Sequence, residues 1–98
     1  MKFHCVAGIA VLCFAWWWEV STFEWLILIV AIGSVIGAEV MNTAIEIVVD
    51  MVQPNFSPLA GMAKDVAAGA VLVATIQAIA IGSIVFFPRL FRFASKMF

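Results

Sequence analysis

The sequence predicts an all-α integral membrane protein, a bundle of three transmembrane helices per protomer that works as an oligomer. The 98-residue chain is 66% hydrophobic and 11% charged, with a mean hydropathy of +1.20; soluble domains run nearer roughly 45 to 50% apolar and 25% charged. The apolar residues form three runs separated by short polar or turn-forming stretches, which suits spans of about 20 residues crossing a hydrocarbon core about 30 Å thick. Three such helices enclose almost no interior, so a site sheltered from lipid would form between protomers. The net charge of -1 points to no charged partner.

The first span is expected at about 4–18. Lys2 and His4 lead into an apolar run from Cys5 to Trp18. A signal peptide starts the same way, but no small-residue cleavage site follows; Trp16, Trp17 and Trp18 stand there instead and mark a membrane interface. Cys5 and Cys13 lie about 12 Å apart along a helix, too far to bond to each other, and read as buried thiols.

The second span, about 22–53, opens on Ser21, Thr22, Phe23 and Glu24, a capping box with Ser21 as N-cap, and Trp25 anchors its outer end. Some 30 residues give a helix near 45 Å long, so its last turns reach water. Gln53, Pro54, Asn55, Phe56, Ser57 and Pro58 form the loop. Ser57 and Pro58 suit the N-cap and first position of a third span, about 58–87, with a surface segment at its start and an apolar run from Val66 to Phe87. Pro88 is expected to stop it, leaving a basic and aromatic interfacial tail over 88–98. Gly33 and Gly37 form a GxxxG, and Ala70, Ala74, Ala78 and Gly82 a small-residue stripe; both predict close helix packing. Thr75 and Gln77 are expected to bond between helices.

Against this background Glu39, Asn42, Glu46 and Asp50 stand out. At 100° per residue they share an arc of about 80° on one helix face. Counted from Trp25, Glu39 lies about 21 Å into the membrane and Glu46 about 31 Å, at the far surface. Carboxylates at such depth are costly and mark function. Lys64 and Asp65 precede the apolar part of the third span at the same face, and Lys2 and His4 start the first span there. Three carboxylates near a lysine supply hard oxygens for Mg²⁺ and a cation for polyphosphate. His4 alone reads as an interfacial polar residue, and Glu19 and Glu24, at the opposite face, as serving solvation and capping. A conducting pore would need polar residues continuing past Glu39, where this face instead carries Val35 and Ile32.

Glu39-Val40-Met41-Asn42-Thr43-Ala44-Ile45-Glu46, then Val48-Val49-Asp50, then Ala63-Lys64-Asp65-Val66-Ala67-Ala68-Gly69-Ala70-Val71-Leu72 resembles the prokaryotic diacylglycerol kinase family, in a form closer to its Gram-positive undecaprenol kinases. The likeness runs from about His4 to Phe87. It implies a homotrimer in the bacterial inner membrane, with sites between subunits on the cytoplasmic side, transferring the γ-phosphate of MgATP to a membrane lipid alcohol. By position, Glu39 resembles the family's general base and Asn42 the residue that positions it. Glu46 resembles the metal-binding glutamate and Lys64 the residue that meets nucleotide phosphate, while Asp65 and Asp50 shape the nucleotide pocket.

The sequence departs from the family pattern twice. A second metal-ligating glutamate is expected six positions before His4, which falls ahead of Met1, so an inactive truncated homologue is the alternative, beside a non-catalytic membrane oligomer or channel. Phe56-Ser57 stands where the family often has Tyr-His. Charge bias opposes the implied orientation, with Lys2 and Lys64 on the acidic face against Arg89, Arg92 and Lys96 on the other; a cytoplasmic supply of ATP favours the family's orientation.

Overall fold

The computed structural model describes residues 2–55 and 57–97; Phe56, the first residue of the Phe56-Ser57 departure, lies outside the described residues. The described chain is helical apart from two short connections: α1 Lys2–Trp17, α2 Thr22–Val52 and α3 Pro58–Met97. α2 and α3 are long and apolar enough to cross a membrane, whereas α1, with 16 residues, is shorter than the other two. The molecule measures 59 × 21 × 20 Å, as expected when the longest helix has about 1.5 Å of rise per residue.

The α1–α2 turn is built from backbone bonds. Val20 N–H donates to Ala15 O at 3.2 Å and Glu19 N–H to Trp16 O at 3.3 Å, the paired closure of a Schellman motif. This puts Glu19 in the left-handed region at φ 51°, where glycine is at ease and a Cβ is not. Val20 is thereby folded into the core. The capping box then starts α2: Glu24 N–H donates to Ser21 Oγ at 3.2 Å, and Ser21 N–H to Glu24 Oε1 at 3.0 Å. At α3, Ala60 N–H reaches Ser57 Oγ at 3.5 Å, with Pro58 as first helical residue.

The best-packed cluster sits at the turn end of the bundle. Ala15, Val20, Leu28 and Val85 are buried there, with Trp25, Ile81 and Phe86 packed around them, and Trp18 lies over Phe86 with ring centroids 6.0 Å apart. Elsewhere α2 packs along α3 and α1 lies against α2; among the described residues no Cα of α1 comes within 8 Å of one in α3. An apolar groove of about 580 Å³ follows, walled by α1 and α3 and floored by Leu28, Ala31 and Val35 of α2. Most other large apolar side chains are exposed, which lipid tolerates because acyl chains are as apolar as they are.

Several expectations need correction. Pro88 does not end the third helix, which runs through it to Met97. Pro88 has no N–H to donate to Ile84 O, yet the helix carries on past it, with Arg89 Nη1 donating to Val85 O at 2.7 Å and Arg92 Nε to Pro88 O at 3.3 Å; membrane helices tolerate such a proline. Glu24 does more than cap. It takes a two-pronged ion pair from Arg89, at 2.6 and 2.5 Å, binding the start of α2 to the end of α3. Gly33 and Gly37 face open space, as does Gly82, because the GxxxG lies on the side of α2 opposite its packed face. The tight glycine is Gly8, where a Cβ would stand 3.0 Å from Ile32 Cγ2. Thr75 bonds back to Val71 O of its own helix at 2.8 Å, Gln77 is exposed, and Cys5 and Cys13 are free and exposed rather than buried.

Two outcomes follow. Glu19→Gly relieves the left-handed strain and raises stability by about 1 kcal/mol, read as a higher midpoint in denaturant titration of the protein in micelles. Arg89→Ala unfastens the last turns of α3, so amide exchange over residues 89–97 accelerates about tenfold in micelles, while exchange in the middle of α2 stays unchanged.

Candidate functional site

The face of α2 that packs inward changes character along its length. Leu28, Ala31 and Val35 are its buried residues; carried on at helical spacing, the same face presents Glu39, Asn42, Glu46 and Asp50. The acidic stripe is therefore the continuation of the packing face. It also ends at Glu39, since Val35 beyond is buried and apolar, so no polar path crosses the protein on this face.

Glu39 and Asn42 sit together, with Thr43, in a second cavity of about 260 Å³ closed on the α3 side by Ala68 and Val71. The Asn42 amide donates to Glu46 Oε1 at 3.4 Å, and its own carbonyl oxygen is buried without a hydrogen-bond partner among the described residues. Thr43 Oγ1 bonds back to Glu39 O at 3.0 Å. A buried amide oxygen of this kind accepts a donor from a bound molecule at no cost in broken contacts. Toward the surface, Lys64 Nζ meets Asp50 Oδ1 at 2.6 Å across the α2–α3 hairpin. Asp65 is exposed at the next position.

The residues expected to act together thus fall into two pairs and a bridge. Glu39 and Asn42 line one cavity, Lys64 and Asp50 are engaged with each other, and Glu46 stands between them, joined to the first pair by Asn42. Among the described residues no three His, Cys, Asp or Glu side chains converge as a ready metal cage. The exposed Glu46 carboxylate is nonetheless a hard oxygen donor of the type Mg²⁺ uses, and that ion commonly takes only one or two carboxylates beside water and phosphate. The donor set fits such a loosely held ion and not a closed structural site.

One participant exceeds its sequence reading. His4, expected as an interfacial polar residue, lies against Glu39, its Nδ1 in ion-pair contact with Glu39 Oε1. A signal for this was present: fourteen residues separate His4 from Trp18 and fourteen separate Trp25 from Glu39, so two antiparallel helices joined at that turn bring both to one depth.

The arrangement defines a class: a membrane-embedded helical protein in which a small polar cavity holding Glu39 adjoins a long apolar groove through the His4–Glu39 contact. Comparison with known proteins makes this specific. The family model for prokaryotic diacylglycerol kinase matches residues 1–86, and the chain belongs to that family. It is similar to an undecaprenol kinase of Bacillus subtilis, 43% identical over 89 residues that cover 91% of this chain and 72% of the relative. A diacylglycerol kinase of Synechocystis is 37% identical over 90 residues, 91% of this chain and 51% of the relative. One from Escherichia coli is 39% identical over 75 residues, 74% of this chain and 62% of the relative. The chain thus spans between half and two thirds of these two diacylglycerol kinases. Kinship and apolar helices together make it an integral membrane protein of a lipid kinase family.

The Lys64–Asp50 contact gives the site a direct check. Asp50→Asn removes the partner charge, so Lys64 reacts several-fold faster with an amine-directed reagent, followed by mass spectrometry of the labelled peptide, while Lys2 and Lys96 keep their rates.

Proposed function

We propose that this chain is a lipid kinase that transfers the γ-phosphate of ATP, presented with Mg²⁺, to the hydroxyl of a membrane lipid alcohol, either undecaprenol or diacylglycerol. It does so as a homotrimer in the bacterial inner membrane, with the site toward the cytoplasm. The observation that carries the reading is the union of a carboxylate-lined cavity with an apolar groove between α1 and α3. A lipid that never leaves the bilayer can lie in such a groove while its hydroxyl reaches polar side chains. Membership in the family supports the reaction class, and the 43% identity to an undecaprenol kinase makes undecaprenol the first acceptor to try.

In this reading Glu39 takes the hydroxyl proton as the alcohol oxygen bonds to the γ-phosphorus and the bond to the bridging oxygen breaks, releasing ADP. Asn42 positions the base, its amide tied to Glu46 Oε1 at 3.4 Å. Lys64 exchanges Asp50 for nucleotide phosphate, and Asp50 and Asp65 shape the nucleotide's pocket. Glu46 would hold Mg²⁺, which when bound supplies neutralisation of the phosphate charge. Phosphoryl transfer asks for alignment and charge compensation more than covalent help, and these residues offer both. The trimer is supported by what one protomer leaves uncovered: a groove open along one side and the open GxxxG of Gly33 and Gly37.

Purified protein in mixed micelles with Mg²⁺, labelled ATP and undecaprenol or diacylglycerol phosphorylates at least one of the two lipids. Glu46→Gln then lowers the rate by about 100-fold or more without displacing the helices, as judged by circular dichroism. Absence of lipid labelling with either acceptor refutes the reading.

A further inference from the structure

Resting on the lipid kinase reading, we infer that His4 is the positioning residue of Glu39, joining the groove to the polar cavity and setting the orientation of the carboxylate that receives the hydroxyl proton. His4 lines the apolar groove beside Ala7, Ile32 and Val35, and Glu39 lines the polar cavity. Their contact is the seam between the two. A lipid hydroxyl lying in the groove meets Glu39 at this seam. Both side chains are largely shielded, at 24% and 13% exposure, so each matters to the other. A carboxylate at this depth needs a polar neighbour, and the imidazole Nδ1 stands beside it at a fixed place. Among the described residues that nitrogen is buried and has no hydrogen-bond partner, so the ion-pair contact with Glu39 is its polar neighbour.

The imidazole itself is held. Phe3 packs edge-on against it, with ring centroids 5.5 Å apart and planes at 80°. Gly8, one turn further along α1, brings the helix against Ile32. A donor fixed on one carboxylate oxygen fixes the plane of the group, as an acid fixes the imidazole in a hydrolase triad with the roles reversed. His4 touches neither phosphate nor nucleotide in this scheme; it acts through Glu39, so its loss should fall on turnover and not on ATP affinity.

Two arms test this on the full chain in mixed micelles. In the first, His4→Ala lowers kcat for lipid phosphorylation about 10- to 100-fold with the KM for ATP unchanged, and His4→Asn, whose amide N–H stands where Nδ1 stood, recovers most of the loss. An unchanged kcat in His4→Ala overturns the assignment, and so does a failure of His4→Asn to recover activity. The second arm needs no activity. His4 is the one histidine of the chain, so its imidazole ¹⁵N resonances are read without ambiguity, and Glu39→Gln shifts Nδ1 if the contact stands. Unmoved resonances overturn it. A wild-type chain that phosphorylates no lipid overturns the kinase reading and the role of His4 in that reaction, while the resonance arm still decides whether the two side chains are coupled.

Discussion

A carboxylate inside a membrane must be compensated where it lies, and in this protein that requirement is met on a single helix face. α2 turns one side toward the rest of the bundle over its whole length. Near the α1–α2 turn that side carries Leu28, Ala31 and Val35 and packs by contact alone. Beyond Val35 the same side carries Glu39, Asn42, Glu46 and Asp50, and apolar contact can no longer serve. Glu39 meets His4, Glu46 meets Asn42, and Asp50 meets Lys64. Each acid has a neighbour suited to its depth, from a shielded imidazole to an exposed ammonium. The helix could not present this face to lipid, so the acids dictate how the hairpin is turned.

The opposite end of the bundle supplies the rigidity that such a site needs. The Schellman turn at Glu19 fixes the angle at which α1 returns along α2, and the capping box fixes where α2 begins. Glu24 belongs to that box and also receives Arg89, so one carboxylate closes the start of α2 and secures the end of α3. With a core of only a few side chains, burial alone would hold the helices weakly. Backbone bonds that find all their partners within helices and caps carry much of the order. The clasp also engages one of the three cations on that face, Arg89.

Between these ends the groove exists because the backbones of α1 and α3 stay apart beyond the core at Ala15 and Val85. The small residues Ala31 and Gly8 let α1 sit close to α2. The cavity of Glu39 and Asn42 lies where this groove meets the acidic half of the face. On the proposed reading a hydrophobic chain and a charged donor molecule approach one point from different media, which is the geometric demand of any enzyme that modifies a lipid hydroxyl with a soluble reagent.

By itself the sequence determined the membrane class, the three helices and the caps that begin two of them, because these depend on composition, local spacing and nearby backbone groups. It also determined that four polar residues share a face, since helical periodicity is a local property, and it carried the motif of the family. Only the tertiary structure decided the partners. Gly33 and Gly37 were legible as a packing motif, yet which side of α2 meets α3 depends on contacts along the whole helix, and the motif points outward. Pro88 was legible as a helix breaker, yet the helix continues through it, and just beyond it Arg89 is held by Glu24, 65 positions away in the chain. His4 was legible as a polar residue near a surface. That it meets Glu39 follows from the angle of one turn, where a left-handed Glu19 aims α1 back along α2; spacing brought the two to one depth, and only packing could bring them to one side.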